Sequence, residues 1–169
     1  MRILIIFIFL CFNSFANDVP SIKNITLLKE PKKYNGLTFL DEKNQQLNLK
    51  DFRGNLVLLN FWATWCAPCK EEMPSLDLLV QNKNLSNLKI IPINIGQENV
   101  KKTQIFFNDL GIKNLKLYYD SPITLAKKLS LRGIPTTILF NKNGEEFARI
   151  IGSIDFNNEQ FVEWLSSYN

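Results

Sequence analysis

The sequence contains no histidine. That absence removes the side chain most often used for metal ligation and for general base catalysis near neutral pH. Cysteine is scarce too: Cys11, Cys66 and Cys69 are all there are in 169 residues. Three are too few for a small secreted fold stapled by several disulfides. The net charge of +4 is spread thinly, and no block of Lys and Arg is dense enough to track a phosphate backbone. A nucleic-acid partner is therefore not expected. No internal repeat is visible. What remains is an ordinary globular composition, 46% hydrophobic and 21% charged, in a length that suits one domain with a sizeable core and a leader.

The leader reads MRILIIFIFLCFNSFAND. Arg2 precedes an apolar run from Ile3 to Phe12, and Ser14 and Ala16 provide the small residues of a signal-peptidase site. Residues 1–16 are therefore expected to be a signal peptide cleaved after Ala16. The alternative is an uncleaved anchor that gives the N-terminus a membrane association. The apolar run of about 10 residues would make roughly 15 Å of helix, against about 30 Å of hydrocarbon, so it is short for a span. Cys11 follows the bulky Leu10, which does not suit a lipoprotein site. Either reading exports the domain, so the expected location is the periplasm. Cleavage would remove Cys11 and leave a single cysteine pair. Residues 17–33, polar and mixed with Pro20 and Pro31, read as a linker. Residues 34–169 read as the domain, with a monomer expected.

Along that domain the periodicity alternates between strand and helix. "LTFLDEKNQQLNL" has apolar positions on both sides of Asp41 to Gln45, a hairpin signal. "LVLLNF", Leu56 to Phe61, is a nearly continuous apolar run and suits a central strand buried on both faces. After Cys66 the period turns helical, with Met73, Leu76, Leu79 and Val80 on one face. "LKIIPINI" is a second buried strand. Val100, Ile105, Phe106 and Leu110 follow at helical spacing, with Gly111 as the C-cap. "TLAKKL" is a short helix and "TTILF" a strand; the turn Asn141 to Gly144 then leads into "EEFARII" as a hairpin. A last amphipathic helix turns Phe161, Val162 and Leu165 inward. The order β-α-β-α-β-α-β-β-α after a peripheral hairpin implies an α/β fold, with a mixed central sheet flanked by helices on both faces. Chemistry in such sheets collects at the carboxyl ends of the parallel strands. Cys66 lies five residues past Phe61, in that position.

The segment "NFWATWCAPCKEEMP" holds the pair. A structural zinc site needs four ligands, and this chain has no second cysteine pair and no histidine. A c-type haem anchor needs histidine directly after the second cysteine, where Lys70 stands. A structural disulfide closing so short a loop would gain little. A working redox pair has a mechanism. Pro68 suits the start of a helix, where its missing N–H costs nothing. Cys66 then sits at the helix N-terminus, where free N–H groups and the helix dipole stabilise a thiolate, the nucleophile of disulfide exchange. Cys69 is one turn further on and can resolve the mixed disulfide.

Together these residues resemble the thioredoxin superfamily. Trp65-Cys66-Ala67-Pro68-Cys69 is similar to its signature, with Ala67 where Gly is usual. Pro74 matches the family's helix-kinking proline. "GIPTT", Gly133 to Thr137, matches its cis-proline loop. The resemblance runs from about Tyr34 to Tyr168 and implies a thioredoxin-like fold, here with an extra N-terminal β-hairpin. It also implies that Pro135 is cis and that Ile134, Pro135 and Thr136 border an extended client segment, with Trp65, Ala67 and Pro68 on the facing side. Within the superfamily the chain most resembles the exported TlpA/ResA-like branch. Thioredoxin carries a buried aspartate six residues before its nucleophile; Asn60 stands there and cannot take a proton. Glu72, three residues after Cys69 on the same helical face, matches the active-site glutamate of ResA-type proteins. It could trade a proton with Cys69. Trp62 reads as core, and Arg132 as an exposed arginine.

The resemblance implies a thiol–disulfide oxidoreductase that needs no cofactor or metal beyond the Cys66–Cys69 disulfide. It would act as a reductant, fed by a membrane thiol donor of the DsbD/CcdA kind. The client cysteine pairs would be those of apocytochrome c or of a copper site. Two other classes compete. A peroxiredoxin-like peroxidase needs Pro-x-x-x-Thr-x-x-Cys, but Thr64 is two residues before Cys66 rather than three. A copper-binding assembly chaperone of the Sco type would use a histidine that this chain lacks.

Overall fold

The computed structural model describes Ile22 and residues 24–169. The expected leader, residues 1–16, lies outside the described residues. Among the described residues no helix is long and apolar enough to cross a membrane.

Eight strands form one mixed sheet. In chain order they are β1 (Ile25–Lys32), β2 (Thr38–Asp41), β3 (Gln46–Asn48), β4 (Leu56–Trp62), β5 (Leu88–Asn94), β6 (Tyr118–Tyr119), β7 (Thr136–Phe140) and β8 (Glu146–Ile151). Across the sheet they run β1-β8-β7-β4-β5-β6-β2-β3. Four helices accompany them: α1 (Ala67–Leu79), α2 (Val100–Asp109), α3 (Leu125–Lys128) and α4 (Glu159–Ser166). This is the expected thioredoxin-like α/β architecture, with the β2–β3 hairpin added at one edge.

Strand β4 is central and buried along all seven residues. It pairs parallel with β5 and antiparallel with β7. Because side chains alternate across a strand, β4 divides the interior in two. Leu56, Leu58 and Trp62 join Met73, Leu76, Phe106, Phe107, Phe161 and Leu165 in the core beneath α1, α2 and α4. Val57, Leu59 and Phe61 face the other way, with Leu125 of α3, with Leu129 just after it, and with Leu37 and Phe39. Trp62 stacks on Phe106 and Phe107, with ring centroids 5.0 and 5.3 Å away, which seats α2 on the sheet.

Several readings from periodicity shift in detail. The segment read as a linker, residues 17–33, contains β1. Ile25, Thr26 and Leu27 pair with Ile150, Arg149 and Ala148 of β8, so the folded unit begins at least nine residues before Tyr34. Polar side chains such as Lys29 and Glu30 hid this strand because it is an edge strand, largely exposed, where charge is tolerated. Just before it, the Asn24 carbonyl accepts from the Ile151 N–H at 3.1 Å, and the next amide, Gly152, donates to the Pro135 carbonyl at 2.9 Å. Val80 is 44% exposed at the end of α1 and is not a core residue. On α2 the buried stripe is Thr103, Phe106 and Phe107, while Val100 and Ile105 are exposed. On α4 Trp164 is buried and Val162 only half-buried. The strand between α2 and α3 is only two residues long, too short to carry a period of its own. The Asn141–Gly144 turn forms as expected. The Asn141 side-chain oxygen accepts from the Asn143 and Glu145 amides, and Gly144 takes φ +78°, a conformation costly for a residue with a Cβ.

Leu58 is fully buried under α1. Leu58→Ala is expected to lower the unfolding free energy by about 2–5 kcal/mol, read as a lower urea midpoint at unchanged denaturant slope.

Candidate functional site

The chain leaves the carboxyl end of β4 at Trp62, turns through Ala63, Thr64 and Trp65, and enters α1. The Cys66 N–H donates to the Ala63 carbonyl at 3.2 Å to close the turn. Cys66 is the N-cap of α1, with extended backbone angles, and its sulfur accepts the Cys69 N–H at 3.3 Å. Cys66 and Cys69 are joined as a disulfide with their Cα atoms 5.3 Å apart. No acidic residue occupies the first turn of α1. Negative charge on the Cys66 sulfur would meet an N–H group and the positive end of the helix, with no carboxylate of the first turn opposing it. Pro68 lies in that first turn, and Pro74 is inside the helix.

The two sulfurs are placed unequally. Cys69 is fully buried, whereas Cys66 keeps 5% exposure among exposed neighbours Trp65, Ala67 and Pro68. Trp65 is 67% exposed. The Ile134–Pro135 bond is cis, as the resemblance implies. Phe61 pairs with Thr136 at the start of β7, so the Ile134-Pro135-Thr136 loop stands beside the end of β4, next to the cysteine turn. Thr136 is buried, with its hydroxyl donating to the Gly133 carbonyl at 2.8 Å. Ile134 is half-buried and Pro135 buried. All the expected site residues thus come together at one end of the sheet. A larger cavity, about 400 Å³, lies at the opposite end, where Leu88 opens β5, and has no connection to this chemistry.

Beneath the disulfide is a buried polar pair. Asn60 shares the parity of Leu58 and Trp62 and so points toward α1. Its amide donates to Glu72 Oε1 at 2.7 Å and to the Thr137 hydroxyl at 3.0 Å. Asn60 and Glu72 are 0% and 2% exposed. Asn60 Oδ1 and Glu72 Oε2 meet no donor among the described residues. A cleft of about 290 Å³, lined by Glu72, Ser75, Ser153 and Asp155 among others, opens beside this residue. Burial pushes the Glu72 pKa up from 4.5 to about 7, and the Asn60 bond, with the Ile154 backbone, offsets only part of that. A carboxyl group so placed can hold or release a proton near neutrality. Asn60 was legible only as a missing proton acceptor; its positive role as donor to Glu72, and that of Thr137 behind it, depends on strand parity and on the β4–β7 register. Among the described residues no three His, Cys, Asp or Glu side chains gather as metal ligands.

A cysteine pair that caps a helix at the end of the central strand, with a cis-proline loop beside it, is the chemistry of thiol–disulfide oxidoreductases on a thioredoxin-like fold. The chain belongs to the Redoxin family, whose model matches residues 16–159. It is 30% identical over 136 residues to the thiol-disulfide oxidoreductase ResA of Bacillus cereus, covering 76% of this chain and 69% of the relative. To the ResA of Geobacillus kaustophilus it is 32% identical over 114 residues, 68% of this chain and 64% of the relative. Among solved structures, it superposes with a TM-score of 0.70 on a DsbF homologue from Corynebacterium diphtheriae, at 22% identity, covering 88% of this chain and 96% of that one. StoA of Bacillus subtilis gives 0.63 at 24% identity, covering 86% and 97%. These structural likenesses speak for the fold.

The raised pKa of Glu72 has a sign. The folded state binds this proton more tightly than the unfolded chain, so the associated stability is complete below about pH 4.5 and is lost as pH rises through about 7. The unfolding free energy of the oxidised protein is expected to fall across that window by roughly 3 kcal/mol. Glu72→Gln should flatten the slope while keeping the fold, as read by urea denaturation in a pH series.

Proposed function

We propose that this protein is an exported reductant of client disulfides, with Cys66 as nucleophile, Cys69 as resolving thiol and Glu72 as the proton-exchanging group. One observation carries the assignment of roles. The Cys66 sulfur accepts the Cys69 N–H at the mouth of α1, while Cys69 lies fully buried behind it. Only the first sulfur is both reachable and stabilised as a thiolate.

In the reduced protein the Cys66 thiolate attacks one sulfur of a client disulfide. The client S–S bond breaks, a Cys66–client mixed disulfide forms, and the first client sulfur leaves as a thiolate. Cys69 then gives its proton to ionised Glu72 and attacks the Cys66 sulfur. The mixed disulfide breaks, the second client thiolate leaves, and Cys66–Cys69 forms. Two electrons have passed to the client, whose two sulfurs take up protons, one of them from Glu72 by way of solvent in its cleft. Trp65, Ala67 and Pro68 on one side, with Ile134, Pro135 and Thr136 on the other, border the client segment. The Pro135 carbonyl is already engaged by Gly152, so client backbone contacts would fall on the rest of that loop.

Reduction in an oxidising compartment needs a renewed electron supply. A membrane dithiol donor of the DsbD/CcdA kind would return Cys66–Cys69 to its thiols. The clients would be cysteine pairs of apocytochrome c or of a copper site. Residues 1–16 would direct export, and an uncleaved leader would keep the domain at the inner membrane.

Cys69→Ala is expected to trap covalent complexes with clients in extracts, while Cys66→Ala traps almost none. Equal trapping by both variants, counted on non-reducing gels, would reverse or cancel the assigned roles. The reduction potential, measured by equilibration with dithiol buffers of known poise, is expected at or below about −250 mV. A value near about −120 mV would make the protein a disulfide donor instead.

A further inference from the structure

Glu98 lies between β5 and α2, outside the cysteine motif, yet its carboxylate is fastened to that motif. Its Oε2 accepts the Thr64 N–H at 3.0 Å and the Asn94 amide at 2.9 Å. Its Oε1 meets the Thr64 hydroxyl and takes Lys102 Nζ at 2.7 Å. The Glu98 side chain is only 4% exposed. Burial alone would push the carboxyl pKa up, but the bonds from Lys102, Thr64 and Asn94 outweigh it and hold the group at about 2. It is a permanent carboxylate with every donor in place.

The surroundings are shaped to let this carboxylate through. A Cβ on Gly96 would come within 2.6 Å of Glu98 Oε2 and 3.1 Å of the Ala63 Cβ. The Gly96 N–H is meanwhile held by Asn94 Oδ1 at 3.0 Å. A side chain at position 96 would therefore displace the Glu98 carboxylate from where it meets the cysteine turn. From behind, Lys102 of α2 holds the same carboxylate, and α2 is fixed to the sheet by the Trp62 stack and by the Thr103–Tyr119 hydroxyl contact at 2.6 Å. In front, the next residue after Thr64 is Trp65, 67% exposed, whose side chain has little cover to hold it. The turn that delivers Cys66 is thus braced through Thr64 rather than by packing of Trp65.

We propose that Glu98 is a positioning residue for the exchange reaction. By bonding both the amide and the hydroxyl of Thr64, it fixes the backbone leading into Trp65 and Cys66. It thereby sets the direction from which the Cys66 sulfur meets a client disulfide. Attack on a disulfide requires the three sulfurs nearly in line, so a loosened turn loses rate even where Cys66 is fully ionised. The inference rests on the reading of Cys66 as the attacking sulfur.

The test compares the reduced wild type with Glu98→Ala, Glu98→Gln and Thr64→Val, at a temperature where thermal melts show each fully folded. Two reactions are timed: exchange with a disulfide-bonded peptide, and alkylation of Cys66 by iodoacetamide across a pH series. Glu98→Ala is expected to slow exchange about tenfold. Its alkylation rate, compared at pH values where Cys66 is fully ionised in every variant, should stay within about twofold of wild type, because the small reagent needs no aligned partner sulfur. Glu98→Gln keeps an oxygen for the Thr64 N–H and should recover most of the exchange rate. Thr64→Val, which keeps that N–H, should fall between. Exchange by Glu98→Ala within twofold of wild type would overturn the proposal. So would an equal loss in both reactions, or a Glu98→Gln as slow as the alanine variant. If Glu98→Ala does not fold, Glu98→Gln and Thr64→Val decide by the same two rates. A Cys66→Ala protein that still exchanges normally through Cys69 would instead remove the reading of Cys66, independently of Glu98.

Discussion

The burial of β4 on both faces is the constraint from which the rest follows. A strand with seven buried residues has no solvent side, so each step along it must satisfy a different core. Its odd and even positions seat α3 on one face and α1, α2 and α4 on the other. The same parity turns the one polar residue of the strand, Asn60, toward α1 and brings its amide to Glu72. Where β4 ends, Trp62 is stacked on both Phe106 and Phe107, and the chain turns directly after it. The cysteine turn is the continuation of a strand that cannot shift.

Two electrostatic environments lie within the first two turns of α1. At its N-terminus, N–H groups and the helix dipole favour charge on sulfur. Inside, burial disfavours charge on the Glu72 carboxyl group, and the Asn60 bond with the Ile154 backbone compensates only in part. The first environment favours a thiolate at Cys66. The second lets the Glu72 carboxyl group gain or lose a proton near neutrality. A buried carboxyl group costs stability at neutral pH, and such a cost is tolerated where the group does chemistry.

Most of the architecture was legible in the sequence because the buried strands and helices carry their periods openly. "LVLLNF" announces a strand without a solvent face, and Cys66-Ala67-Pro68-Cys69 announces a helix start. What was hidden is exposed or long-range. The edge strand β1 carries Lys29, Glu30 and Lys32 because one of its sides has no neighbour, so its composition imitates a linker. On α2 the apolar Val100 and Ile105 point outward while Thr103 is buried against Tyr119, so counting hydrophobic residues misplaced the inner face. Asn60 was visible only as the loss of an acid; that it donates to Glu72 follows from the register of β4 against α1 and β7. Glu98 had no motif at all, since its partner Thr64 is 34 residues away in the chain.

The edge strand also fixes where the polypeptide enters the domain. Asn24 bonds to Ile151, and the adjacent Gly152 bonds to Pro135, so the entry point and the cis-proline loop share one rim of the sheet. Whatever lies upstream of Ile25 is attached at the end that carries the sulfurs, not at the far end. Were that upstream segment held at a membrane, it would act as a leash. It would then confine the reactive rim to a small volume around the attachment point and turn the encounter with any electron donor fixed nearby into a nearly intramolecular event, governed by local rather than bulk concentration.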